Sequence, residues 1–242
     1  MANQSRRRSG NQCQQFQVEF NRDINSYSNG KISRSLICSK WSRKLEGTSC
    51  RSLKDQVRSF CNKRIGVNHP RVIDYPFSHD KSDFLDIWLF ANCDLCISTA
   101  SGPDLISDVY RKPILLINYL PLIDMYSWSR TLSHPKYLVW EKTGEPLTLN
   151  EYLEYKFTHT EQYENSGIKI INLSKEEILA IVEEGWKRLE GTWVDTKNDI
   201  EEQKKFWSVL NNHRNFSRYH GYIHDDAKIS SIFLRNNANF LQ

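Results

Sequence analysis

The sequence predicts an α/β fold: a Rossmann-like parallel sheet with flanking helices, a helical C-terminal extension, and a basic, poorly structured arm in front. Three observations predict it. Short apolar runs alternate with helix-like segments between residues 71 and 118, in the order β-α-β-α-β. The last of these runs, Pro113-Ile114-Leu115-Leu116-Ile117-Asn118, is almost continuously apolar, as strands covered on both faces are. Beyond Pro121 the chain returns to helical periods opened by capping boxes.

The arm, residues 1–66, is rich in Ser, Asn and Gln and has no sustained apolar period. Its segment SCRSLKDQVRSFCNK suits a helix through Leu53, Val57 and Phe60, and nothing there resembles a buried parallel strand. Composition shifts near Asn68-His69-Pro70, so the folded domain is read as 67–242. Residues 71–75 read as a first strand, ended by Pro76. Asp83 can cap the helix FLDIWLFANC, which is apolar on nearly all sides and is therefore read as buried. Residues 95–98 form the second strand. A second helix spans 103–111 with Leu105, Ile106 and Val109 at core spacing, and residues 113–118 form the third strand. A loop-rich stretch follows, holding Trp128, His134, Pro135 and Trp140. Thr148-Leu149-Asn150-Glu151 and Ser174-Lys175-Glu176-Glu177 both fit the capping box. The second opens a helix with Ile178, Ile181, Val182, Trp186 and Leu189 on one face. EEQKKFWSVLNN is also helical, and the tail offers Ile229, Ile232 and Phe233 for docking.

Charge is unevenly distributed. The 242 residues carry a net +4, but residues 1–64 hold 14 Lys/Arg against 4 Asp/Glu, leaving an acidic body behind a basic arm. No basic block is interleaved with aromatics, so no nucleic acid is expected as a partner. No run approaches the length of a membrane span, and no apolar stretch follows the basic start as a secretory signal would. The expected location is the cytoplasm, with the inner membrane face as a peripheral option. Of six cysteines, only Cys93 and Cys96 form a CxxC, and their apolar setting reads as core packing with reduced thiols. No metal cluster or cofactor motif is seen.

The chemistry gathers at Ser98-Thr99-Ala100-Ser101-Gly102-Pro103, where the second strand feeds the second helix. In open parallel sheets ligands bind at this end of the strands. Pro suits a first helical turn, Gly102 permits close approach, and free N–H groups with the hydroxyls of Ser98, Thr99 and Ser101 suit a diphosphate. The plainer reading has Ser101 only capping the helix, and Asp104 in the first turn would repel a phosphate. Tyr75, Pro76, Phe77 and Ser78 follow the first strand; Phe77 can stack on a base and Ser78 can donate to phosphate, or the four form a simple turn. Asp86, inside an apolar helix, needs a partner, either structural or a ligand hydroxyl. Asn118 ends the third strand, where it either reaches the same crevice or forms a turn. His79, His134, Asp124 and Glu141 are scattered, a lone loop histidine reads as surface, and no catalytic residue is identified.

The run HPRVIDYPFSHDKSDFLDIWLFANCDLCISTASGPDLISDVYRKPILLINYLPL resembles a bacterial family of glycosyltransferases encoded in surface-polysaccharide gene clusters. The later GTW, QKKFW and ISSIFLRNNANFL segments are similar to its C-terminal part. The resemblance implies a GT-B transferase of two Rossmann-like domains, in which this chain is the donor-side half. The nucleotide-diphosphate sugar would lie on residues 98–102 and along 75–78, without a metal or other cofactor. The acceptor would be a glycan or a lipid-linked one, with an N-terminal GT-B domain or partner chain completing the cleft. The acceptor-side domain of the family is not found in this sequence, and Pro103-Asp104 stands where the family has an apolar residue. The alternatives are a non-catalytic or truncated nucleotide-sugar-binding module and a nucleotide-sugar epimerase.

Overall fold

A computed structural model of the chain describes the backbone of residues 36–39, and residues 75, 79–100 and 102–242. The chain divides into two compact units, Met1–Arg34 with Ser42–Leu89 and Ser35–Trp41 with Phe90–Gln242.

The described part of the first unit is Tyr75 and residues 79–89, most of helix α1 (Asp83–Asn92). Asp83 is not its cap. The Ser82 hydroxyl accepts from Leu85 N–H at 3.2 Å, leaving Asp83 in the first turn. Nor is α1 buried on all sides. Phe84, Ile87 and Trp88 are 72%, 50% and 47% exposed, a stripe at i, i+3 and i+4, and only Ala91 is fully buried. Residues 71–74 of the expected first strand lie outside the described residues, and Tyr75 adopts a helical turn.

The second unit is built on a parallel sheet. Its strands are β1 (Leu36–Ser39), β2 (Leu95–Ser98), β3 (Ile114–Tyr119), β4 (Thr131–Pro135) and, later in the chain, β7 (Lys228–Ile229). They pair side by side in the order β1-β2-β3-β4-β7, every pair parallel. Strands β2 and β3 are almost wholly buried, because helices cover both faces. Two expectations change here. The arm supplies a strand, β1, where none was read; the rest of residues 1–66 lies outside the described residues. The stretch read as loop-rich contains β4 and β5 (Tyr137–Trp140), with Ser133, His134 and Pro135 inside the sheet's fourth strand. Strand β5 pairs antiparallel with β6 (Ile168–Ile171), making a separate ribbon.

Helix α2 (Asp104–Val109) joins β2 to β3 and inverts the expected burial. Leu105 and Val109 face solvent, at 45% and 77% exposure, while Asp104 and Ser107 are buried. The Ser107 hydroxyl donates to Phe90 O at 2.9 Å, which satisfies it inside. Cys93 and Cys96 are both buried in the core, as read.

Helices α3 (Leu149–Glu154) and α4 (Thr160–Asn165) lie between β5 and β6. The long helices are α5 (Lys175–Glu190) and α6 (Lys197–Asn212), followed by α7 (Phe216–Tyr219) and α8 (Ser231–Asn236). Both capping boxes form as read: Thr148 with Glu151, and Ser174 with Glu177. Helix α5 rests on β3 through Gly185, where a Cβ would come within 3.1 Å of Leu115 Cδ2. It ends at Gly191 in the left-handed region, φ +72°. Against the other strands' side chains, Cys96, Ile114, Leu116 and Ile229 share one core with Leu122, Ile123, Met125, Phe206, Leu210 and Phe233. Gln203 of α6 donates to Ile229 O at 2.5 Å, occupying a carbonyl of the outermost strand. Among the described residues no helix is long and apolar enough to cross a membrane.

Candidate functional site

The carboxyl ends of β2, β3 and β4 lie in register along one edge of the sheet. Three segments leave that edge, and each is held differently.

After β2 the chain turns on small residues. The buried Ser98 hydroxyl accepts from Ala100 N–H at 3.1 Å, so this oxygen shapes the corner itself. Ala100 is left-handed at φ +59°, and Gly102 follows at φ +93°. Thr99 is half-buried and Gly102 exposed, while Ser101 lies outside the described residues. The helix that follows offers less than its sequence suggests. Leu105 N–H and Ile106 N–H are taken by Gly102 O and Pro103 O, each at 3.0 Å. Helix α2 has six residues, no side-chain cap, and a buried Asp104 carboxylate in its first turn, within 3.5 Å of the Tyr126 hydroxyl. A short dipole with a carboxylate at its positive end is a weak anion trap. Among the described residues, the polar chemistry of the corner therefore rests on Thr99 and Gly102 of the loop.

Near the end of β3, Asn118 is also left-handed, at φ +56°. Asn tolerates this conformation better than most residues. Its Oδ1 accepts from Leu173 N–H at 3.3 Å, tying the end of β3 to the residue before the α5 cap. Asn118 is thus a positioning residue at this edge, half-buried beside it.

At the end of β4 lies a cluster that the sequence reading missed. His134 is not a surface residue. It is fully buried opposite Ile117, edge-on to the Phe233 ring at 5.3 Å and the Tyr137 ring at 6.3 Å. Neither ring nitrogen has a hydrogen-bond partner among the described residues, and burial pushes its pKa down to about 3, so the imidazole is neutral. Tyr137 stacks on Phe233 and donates to Glu177 Oε1 at 2.7 Å. Burial, then Glu177, raises the Tyr137 hydroxyl. Burial also pulls the Glu177 carboxyl upward, but the Ser174 N–H and the Tyr137 hydroxyl outweigh it and leave the group below its ordinary value. Lys136, half-buried between β4 and β5, is lowered by burial. Only Glu177 could have been anticipated, from its capping box.

In the first unit, Tyr75 and Asp86 are both engaged locally. The Tyr75 hydroxyl donates to Ser82 O at 3.0 Å and accepts from Ser82 N–H at 3.1 Å. Asp86 pairs with Lys81 at 3.1 Å, which is the structural partner its position called for. Pro76, Phe77 and Ser78 lie outside the described residues. Among the described residues no group of three His, Cys, Asp or Glu side chains is placed to hold a metal ion.

No family model matches this chain, and no curated protein or solved structure matches it.

Proposed function

We propose that this chain binds a nucleoside-diphosphate sugar along the carboxyl edge of its parallel sheet, as the donor-side domain of a GT-B-type glycosyltransferase building a surface glycan. The observation that carries the reading is backbone strain at adjacent strand ends. Ala100 and Asn118 both sit in the left-handed region, with Gly102 between them in sequence. Each non-glycine residue held there costs about 1 kcal/mol, and such costs concentrate at ligand clamps. The loop between β2 and α2 then offers the Thr99 hydroxyl and an exposed Gly102 to diphosphate oxygens. The resemblance of this same run to surface-polysaccharide glycosyltransferases supports the same ligand.

One observation favours the binding-module form of this reading. Among the described residues of the edge, the carboxylates are engaged: Glu177 by its cap and Tyr137, Asp104 by burial beside Tyr126. His134 is sealed in the core. A general base would then come from outside the described residues.

The test is a thermal-shift panel of nucleoside-diphosphate sugars, with nucleoside-diphosphate release followed in parallel. A ligand at about a hundred times its Kd stabilises by about 2.7 kcal/mol. The shift should shrink in Thr99→Ala and Ser101→Ala and vanish in Gly102→Val. Release of nucleoside diphosphate identifies a transferase; a shift without release identifies the module. No shift with any member of the panel, or an unchanged shift in all three variants, overturns the reading.

A further inference from the structure

At the opposite edge of the sheet, the amino ends of β2, β3, β4 and β7 meet the last turns of α5 around a cleft of about 180 Å³. That is room for a ring or a short chain rather than a nucleotide sugar. Its floor is apolar and mostly buried, with Leu95, Leu115 and Leu132 from the strands and Leu189 from the helix. The cleft exists because α5 approaches closely at Gly185 and its chain then turns away at Gly191.

The rim carries three cations. Arg130, Arg188 and Lys228 line it against a single carboxylate, Asp226. Arg188 is already committed, donating to Glu184 Oε1 at 3.0 Å and to both oxygens of Asp195 at 3.1 and 2.7 Å. The Glu184 carboxylate behind it is fully buried and also accepts from Ser230 and Ser231. Arg130 makes one exposed pair with Asp226 at 3.3 Å, which uses only part of its five-donor fork. Lys228 makes no direct ion pair among the described residues, though its charge acts on the Asp195 carboxyl and helps to lower it. The negative end of α5 is muted here, because the N–H groups of Gly191, Thr192 and Trp193 bond back to Arg188 O and Lys187 O.

We propose that this cleft binds a small monocarboxylate with an apolar body, its carboxylate between Lys228 and Arg130 and its body on Leu95, Leu132 and Leu189. The apolar floor excludes a bare inorganic anion as the best ligand, and the unspent donors on the rim disfavour a neutral hydrocarbon. The site lies at the strand ends opposite to the donor edge, so it stands or falls separately from the function proposed above.

Benzoate and hexanoate serve as probes for the full chain, read by saturation-transfer NMR and by thermal shift. Benzyl alcohol and inorganic phosphate are the controls. The two carboxylates should saturate with a Kd on the order of 1 mM, as expected for ligands of this size. Benzyl alcohol and phosphate should bind at least about tenfold more weakly, the loss expected for one charge-assisted contact or for the apolar body. Lys228→Met and Arg130→Gln, both at half-exposed positions that leave the core intact, should each weaken benzoate by about tenfold or more. Nucleoside diphosphates should not compete. Absence of saturable carboxylate binding, equal binding of benzyl alcohol or phosphate, or benzoate binding unchanged in both variants would overturn the site.

Discussion

His134 and His220 are both buried histidines, and their settings are opposite. His220 Nδ1 meets the Ser127 hydroxyl at 2.8 Å and its Nε2 meets Ile123 O at 2.7 Å. His134 has aromatic rings for neighbours and, among the described residues, no partner for either nitrogen. A buried polar atom without a partner costs free energy, and a charged one costs more. Burial holds the folded-state pKa of His134 near 3, against 6.5 for the free side chain. The unfolded chain therefore binds the proton first as pH falls. Stability is complete above about pH 6.5 and declines as pH drops from there toward 3, by about 2 kcal/mol at pH 5. In His134→Leu that share of the acid loss should disappear, and stability at pH 7 should be equal or higher. Urea denaturation of both proteins at pH 7 and pH 5 checks it; an equal acid loss in the variant would mean that another group titrates instead.

At the scale of elements, local chemistry and tertiary pairing leave different traces in a sequence. Capping boxes are local, and Thr148–Glu151 and Ser174–Glu177 could be read directly because each closes within four residues. Ser174→Ala should cost about 1 kcal/mol in a denaturant titration, by freeing the Glu177 N–H at the start of a sixteen-residue helix. Strands β2 and β3 were equally legible, since burial on both faces demands unbroken apolar runs. Strands β1, β4 and β7 were not. Thr131 at its start, then a serine, a histidine and a proline, make β4 a strand only because β3 lies beside it. Helix α2 misled for the same reason. Its apolar spacing pointed to Leu105 and Val109 as core, but Ser107 found a carbonyl at the end of α1 and turned the helix the other way. The small-residue corner was legible as a place; the spent Ser98 hydroxyl and the strained Asn118 were not, because hydrogen-bond partners and φ angles leave no composition behind.

Across the whole second unit, one charged network fastens the C-terminal elements together. Arg188 of α5 reaches Glu184, Asp195 and the Ser231 hydroxyl of α8. Trp193 lies between the Arg188 and Arg235 guanidinium groups, 5.2 and 5.5 Å from its ring centre. Arg235 of α8 in turn grips Asp199 of α6 with two nitrogens, and this pairing leads the causes that lower the Asp199 carboxyl to about 2. Arg188→Met leaves Glu184 fully buried without its counter-charge, which should cost about 3–5 kcal/mol. The exposed Arg214–Glu154 pair is the internal control, since Arg214→Met should cost less than about 1 kcal/mol. Guanidinium titrations of both variants give the comparison, and similar losses would show that the network is not what joins these helices.

The sheet is finished out of order. Strand β7 shields the flank of β4, yet the ribosome makes everything from β5 to α7 between them. Until Lys228 and Ile229 emerge, a nascent chain carries a row of bare amides and carbonyls along β4, the kind of surface that neighbouring chains and chaperones seize.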